Sequence, residues 1–212
     1  MSKVISFDLD GTLIESKYAI AKSFNKILTN YSFKEMSDQE IYSSIGRPIE
    51  EIFERVTDDR QKLQEMVKDF RIELGANGHE NTTVNTNVID ALKYFSEMNY
   101  KLAIVSNKPT NLSGKVLDQL GLLHFFDFIA GPDLADPKPS GEMLRLCSEY
   151  FNSEIVCMVG DTEDDIRCAG NFGIPGLLYD HSDSITLPDT IKHYKFNNFL
   201  DLPLLITSIQ GE

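Results

Sequence analysis

The feature that most constrains this chain is a series of short apolar runs, most of them ending in polar or acidic residues. They read "VISF" (4–7), "KLAIVS" (101–106), "FFDFIAG" (125–131), "IVCMVGD" (155–161) and "PGLLYD" (175–180). Runs of this length, rich in Val and Ile and apolar on both faces, are expected as buried strands of a parallel sheet. Helical periodicity fills most of the gaps. Val88, Ile89, Leu92 and Phe95 lie upstream of the second run, and Leu112, Val116, Leu117 and Leu120 lie downstream with Gly121 as a stop. The alternation predicts an α/β protein with a Rossmann-like, mainly parallel sheet as its core. With 212 residues, 42% of them hydrophobic, the chain has the material for such a core.

One interval breaks the alternation. Between residues 16 and 81 no strand pattern occurs. Ile20, Phe24, Ile27, Leu28 and Tyr31 share one helical face; Ile49, Ile52, Phe53 and Val56 make a second stripe behind Pro48; Leu63, Met66, Val67, Phe70 and Leu74 make another, which Gly75 is expected to end. Ser37 and Glu40 have capping-box spacing. The expected organisation is an α/β core built from residues 1–15 and 82–212 with an all-α insertion over 16–81. "GANGHENTTVNTN" (75–87) is expected to be the return linker.

Four polar clusters fall at or beyond the expected strand ends, where open α/β sheets bind ligands. In "DLDGTL", Asp8 and Asp10 sit two residues apart where the first run stops, with Glu15 close behind. "VSNKP" places Ser106 and Asn107 after the second strand, as a helix cap or as a pair of phosphate ligands. "DPKPSGEML" puts Lys138 between two prolines at an expected helix start. "MVGDTEDD" runs a strand into Asp161, with Asp165 four residues on and expected on the same helical face. If the first and fourth strands are neighbours, Asp8, Asp10, Asp161 and Asp165 converge. Each like-charge pair about 4 Å apart costs about 4 kcal/mol at an effective dielectric of about 20, against a domain stability of roughly 5–15 kcal/mol. A hard divalent cation relieves that repulsion. Oxygen donors without His or Cys favour Mg2+ over zinc.

Taken in order, "DLDGTL", "SNK", "KP" and "GDTEDD" resemble the haloacid dehalogenase (HAD) superfamily over most of the chain. The run from Ser106 to Leu144 further resembles its phosphoglycolate phosphatase-like branch, which carries a helical C1-type cap after the first motif. The resemblance implies a phosphatase that passes through an aspartyl-phosphate. It implies Asp8 as nucleophile, and Asp10 as acid for the leaving oxygen and base for the incoming water. It implies a phosphate site of Ser106, Asn107, Thr12 and Lys138, with Thr12 also positioning Asp10. The Mg2+ ligands would be Asp8, the Asp10 carbonyl and Asp161, with Asp165 supporting the metal shell or Lys138. Two departures stand out. "KPSG" has Gly141 where the family often has Pro, and Phe172 occupies a position where small residues are common.

The formal net charge of -13 argues against nucleic acid and anionic membranes as partners. The expected partner is a small phosphorylated metabolite, met by a monomer or homodimer. Cys147, Cys157 and Cys168 form no CxxC pair and are expected as reduced structural thiols in a cytoplasmic protein. No signal-peptide pattern or membrane span is apparent. His79, His124, His181 and His193 are scattered. Arg47, in "SIGRPIEE", is expected either to reach into the cleft toward a substrate anion or to sit beside Glu50 and Glu51 at the surface. Three rival activities remain at this stage: a metal-free dehalogenase, in which an alkoxide-protonating Asp10 has no task; a phosphomutase; and a catalytically silent binding protein of the same fold.

Overall fold

In the computed structural model, residues 3–181, 185–188, 190, 191 and 193–211 are described. Elements are numbered in chain order. Strands β1 (Val4–Phe7), β4 (Lys101–Val105), β5 (Phe128–Ala130), β6 (Ile155–Gly160), β7 (Gly176–Tyr179) and β8 (Tyr194–Phe196) form one sheet in the order β5-β4-β1-β6-β7-β8. All five pairings are parallel. The run at 125–131 makes a shorter strand than its apolar length suggests, because a 3-10 turn over Leu123–Phe125 takes up its start. β8 was not apparent from the sequence: three residues, one of them exposed, carry too little pattern.

Alternate residues of each strand feed opposite faces, as the two-residue side-chain period requires. Ile5, Phe7, Leu102 and Ile104 pack with helices α5 (Val88–Glu97), α6 (Thr110–Gln119) and α9 (Leu202–Gln210). Val4, Ala103, Val105 and Met158 pack with α7 (Glu142–Phe151) and α8 (Glu163–Phe172). Each fully buried large apolar side chain contributes roughly 1.5–3 kcal/mol relative to exposure. The three cysteines are free and buried within these two layers. Gly141 and Phe172, the two departures, are neighbours: a Cβ at 141 would lie 3.1 Å from the Phe172 backbone nitrogen. The missing side chain makes room for the helix that carries the bulky one.

Helices α1 (Lys17–Asn30), α2 (Asp38–Tyr42), α3 (Ile49–Phe53) and α4 (Arg60–Asn77) hold an apolar cluster of their own. Phe24 and Phe53 stack with ring centroids 4.4 Å apart, and Phe70 meets both edge-on. Ser37 and Glu40 form the capping box that their spacing predicts, and Pro48 is the residue immediately before α3. Gly75 does not end α4, which continues to Asn77. A Cβ there would sit 2.9 Å from Leu112 Cδ2, so the glycine permits close approach of α4 to α6. The stretch 75–87 is likewise more ordered than a plain linker. It contains the end of α4, a 3-10 turn (Gly78–Asn81) and β3 (Thr83–Val84), which pairs antiparallel with β2 (Ile14–Glu15).

Candidate active site

The first turn of the site is set by backbone geometry. β1 delivers Asp8, whose amide donates to the Val159 carbonyl of β6 at 2.8 Å. Gly11 follows at φ +91°, and a Cβ there would fall 2.2 Å from Asp161 Oδ2. Only glycine allows both the turn and the approach. Thr12 is fully buried, and its hydroxyl donates to Asp161 Oδ1 at 2.7 Å. The expectation that Thr12 positions Asp10 is therefore corrected, and its hydroxyl is committed to Asp161. Glu15 takes no part in the crowding either. It pairs with Lys17 at 2.8 Å, with both side chains about one-third exposed.

Three carboxylates meet where β1 and β6 end: those of Asp8, Asp161 and Asp165, each with an oxygen within 4.8 Å of the others. Asp161 lies before α8, not on it. The helix begins at Glu163 behind the cap residue Thr162, which forms a capping box with Asp165. The strand end and the first turn of α8, not a shared helical face, bring the two acids together. Lys138 Nζ lies between two of the three, 2.6 Å from Asp8 Oδ1 and 2.5 Å from Asp165 Oδ1. The lysine sits in the loop ahead of α7 and not at its first turn. Asn107 fixes that loop, since its Oδ1 accepts from the Lys138 amide at 2.8 Å.

Burial pushes Asp8 up to about 6; Asp165 and Asp10 add to the rise and Lys138 opposes it. Burial, then Asp8 and Asp165, hold Asp161 well above the usual carboxylate range. Burial works against the charged form of Lys138, but Asp165 and Asp8 outweigh it and hold the ammonium above its ordinary value. One ammonium thus faces three acids. An all-oxygen, charge-excessive cluster of this kind fits a hard divalent cation. Asp8 and Asp161 could hold it, because both oxygens of Asp165 are already engaged by Lys138 and Thr162.

The Asp10 carboxylate stands apart from this cluster. Lys108 Nζ donates to both of its oxygens, at 2.7 and 3.1 Å, and Ser16 Oγ donates to Oδ1 at 2.5 Å. Neither partner was singled out from the sequence, although Lys108 lies inside the quoted "VSNKP". Its role became visible only through a contact between residues 98 apart. Ser106 is buried, and its Oγ accepts from the Lys108 amide at 3.3 Å. The Asn107 amide, expected to assist on a phosphate, donates instead to the Gly46 carbonyl at 2.9 Å and the Lys138 carbonyl at 3.3 Å.

That bond to Gly46 ties the sheet edge to the helical layer. Gly46 also lies against Thr162, at the head of α8. Next to it, Arg47 is exposed and lines a cavity of about 620 Å³ together with Asp8, Asp10 and Ser106. Its charge opposes the rise that burial and Asp165 impose on Asp164. The neighbouring Glu50 pairs with Arg71 at 2.6 Å. No helix among the described residues is long and apolar enough to cross a membrane.

The site thus joins Asp8 and Asp161, at the ends of adjacent parallel strands, to Lys138 from a third loop, which pairs with Asp8 and with Asp165 of α8. The chain belongs to the haloacid dehalogenase-like hydrolase family, whose pattern it matches over residues 5–178. It is 34% identical over 179 residues to a phosphoglycolate phosphatase of Aquifex aeolicus, covering 83% of this chain and 84% of that protein. A phosphoglycolate phosphatase of Haemophilus influenzae is 28% identical, with 94% and 96% covered. A crystal structure of a predicted phosphoglycolate phosphatase from Haemophilus somnus superposes with a TM-score of 0.83 at 25% identity, covering 96% of this chain and 97% of that one.

Proposed function

We propose that this protein is a Mg2+-dependent phosphatase of small phosphate monoesters that works through an aspartyl-phosphate on Asp8. The observation that carries the reading is Lys138 bridging Asp8 and Asp165 beside Asp161, at the carboxyl ends of adjacent strands. The phosphatase names of the relatives support it. Asp8 attacks phosphorus, and the ester oxygen leaves with a proton from Asp10. Asp10 then takes a proton from water as that water attacks phosphorus, which releases inorganic phosphate and frees Asp8. Lys108 and Ser16 hold the Asp10 carboxyl in place for both transfers. Lys138 and the Ser106 hydroxyl stabilise the transferring group, and Asn107 acts as a brace for the Lys138 loop. Asp8, Asp161 and the Asp10 carbonyl would hold Mg2+, which would supply the remaining positive charge against an anionic substrate. Residues 16–81 act as a cap over the core of 1–15 and 82–212, limiting water access, and Arg47 on that cap contacts the substrate.

The test is a panel of phosphate monoesters with and without Mg2+, run beside Asp8→Asn. Metal-dependent phosphate release, and a hydroxylamine-labile phosphate on wild type but not on Asp8→Asn, are expected. Release by Asp8→Asn at the wild-type rate would overturn the assignment of the nucleophile.

A further inference from the structure

The loop between α2 and α3, residues 43–48, belongs to the helical layer, yet it meets two core residues that both act on Lys138. The first is Asn107. Its Nδ2 donates to the Gly46 carbonyl at 2.9 Å and to the Lys138 carbonyl at 3.3 Å, and its Oδ1 accepts from the Lys138 amide at 2.8 Å. One side chain thus ties the loop to the backbone of the lysine. The second is Thr162. Gly46 lies so near it that a Cβ there would sit 3.1 Å from Thr162 Cγ2. On its other branch, Thr162 Oγ1 donates to Asp165 Oδ2 at 2.6 Å, and Asp165 Oδ1 accepts from Lys138 Nζ at 2.5 Å. Gly46 therefore touches both supports of Lys138, one at its backbone and one, through Asp165, at its ammonium. The loop is anchored on its own layer as well: Arg55 Nη1 donates to Ser44 Oγ at 3.1 Å, and Ser44 Oγ donates to the Glu40 carbonyl at 3.1 Å. Lys138 and Asp165 are buried, in close-packed surroundings that pass a displacement on.

We infer that Asn107 and Thr162 are positioning residues that couple the seating of the α2–α3 loop to the placement of Lys138, so that the helical layer sets the rate of phosphoryl transfer as well as access to the site. The inference rests on the phosphatase reading of the site. With the loop seated, Lys138 Nζ is held against Asp8 and Asp165. With it unseated, the Asn107 amide and the methyl face of Thr162 lose their partner, and the ammonium loses its fixed geometry against the transferring group.

The experiment uses two variants that loosen the seat and spare the bonds nearest the lysine. Asn107→Asp keeps an oxygen to accept from the Lys138 amide and removes the donor to Gly46. Thr162→Ser keeps the hydroxyl on Asp165 and removes the methyl that faces Gly46. Both are assayed at saturating Mg2+ on acetyl phosphate, a small donor whose acetate leaves unprotonated, and on p-nitrophenyl phosphate. Each variant is expected to lower kcat about threefold to tenfold, as one net hydrogen bond or one buried methyl implies, by the same factor on both donors and with KM within about twofold. Because both act through one ammonium, the double variant should lose little more than the worse single. An unchanged kcat, a loss confined to KM or to p-nitrophenyl phosphate, or a double loss equal to the product of the singles overturns the inference. If wild type hydrolyses neither donor, the phosphatase reading fails on its own. The 15N resonance of Lys138 Nζ, assigned through Lys138→Arg, then decides the coupling. A shift in Thr162→Ser supports it, and an unmoved resonance refutes it.

Discussion

Removing one charge from the carboxylate cluster should stabilise the metal-free protein while destroying its activity. The perturbation is Asp161→Asn. Asp8, Asp161 and Asp165 offer oxygens within 4.8 Å of one another. At that spacing each like-charge pair costs about 3.5 kcal/mol at an effective dielectric of about 20. Asp161 takes part in two such pairs, and Lys138 offsets part of the repulsion. Asparagine keeps an oxygen to accept from Thr12 and removes the charge. The expected gain at pH 7 in EDTA is about 2–4 kcal/mol, or roughly 5–15 °C in Tm for a chain of this size. The sign of the pH dependence follows from linkage. A carboxyl whose folded pKa is raised binds more protons folded than unfolded, so wild-type stability falls as pH rises from about 4 to about 6. The advantage of Asp161→Asn should therefore shrink at pH 5. Mg2+ at about 100 times its Kd should add about 2.7 kcal/mol to wild type and little to the variant. Thermal unfolding followed by circular dichroism, at both pH values and with and without Mg2+, reads all of this. A Tm of Asp161→Asn at or below wild type in EDTA at pH 7 would refute the account of the cluster as charge-excessive.

Three further outcomes are expected. Gly11→Ala forces a Cβ to 2.2 Å from Asp161 Oδ2 at φ +91°; turnover should fall by at least about a hundredfold, with about 1–3 kcal/mol of stability lost to strain, and steady-state kinetics with urea unfolding check both. Lys108→Met removes the cation on both Asp10 oxygens; kcat should fall at least about tenfold while the far-ultraviolet spectrum is kept, and an unchanged kcat would exclude Lys108 as a positioning residue. Phe53→Ala empties the centre of the stacked triad in the helical layer; about 3–5 kcal/mol should be lost, and a loss below about 1 kcal/mol in urea titration would contradict the packing.

The parallel sheet was legible because its strands are buried on both faces, so Val4–Phe7 and Ile155–Gly160 read as unbroken apolar runs. Short elements with one exposed residue, such as β3 and β8, carry no such signature. Gly75 illustrates the opposite failure: a residue that usually stops a helix was retained for a contact with Leu112 that no local pattern records. In the site, the strand-end acids were apparent because their chemistry clashes with the apolar runs before them. Lys108, Ser16 and Thr162 were not, since each matters only through a partner brought near by folding.

By itself, then, the order of residues determined the layers of the protein and the reactive groups at the strand ends, because burial and local turn chemistry act over a few residues. Tertiary structure decided how those groups are shared out. It put Lys138 between Asp8 and Asp165, gave Asp10 to Lys108, and turned Asn107 toward Gly46. Hydrogen bonds and ion pairs reach only about 3 Å, and which groups come that close depends on the packing of elements distant in the chain.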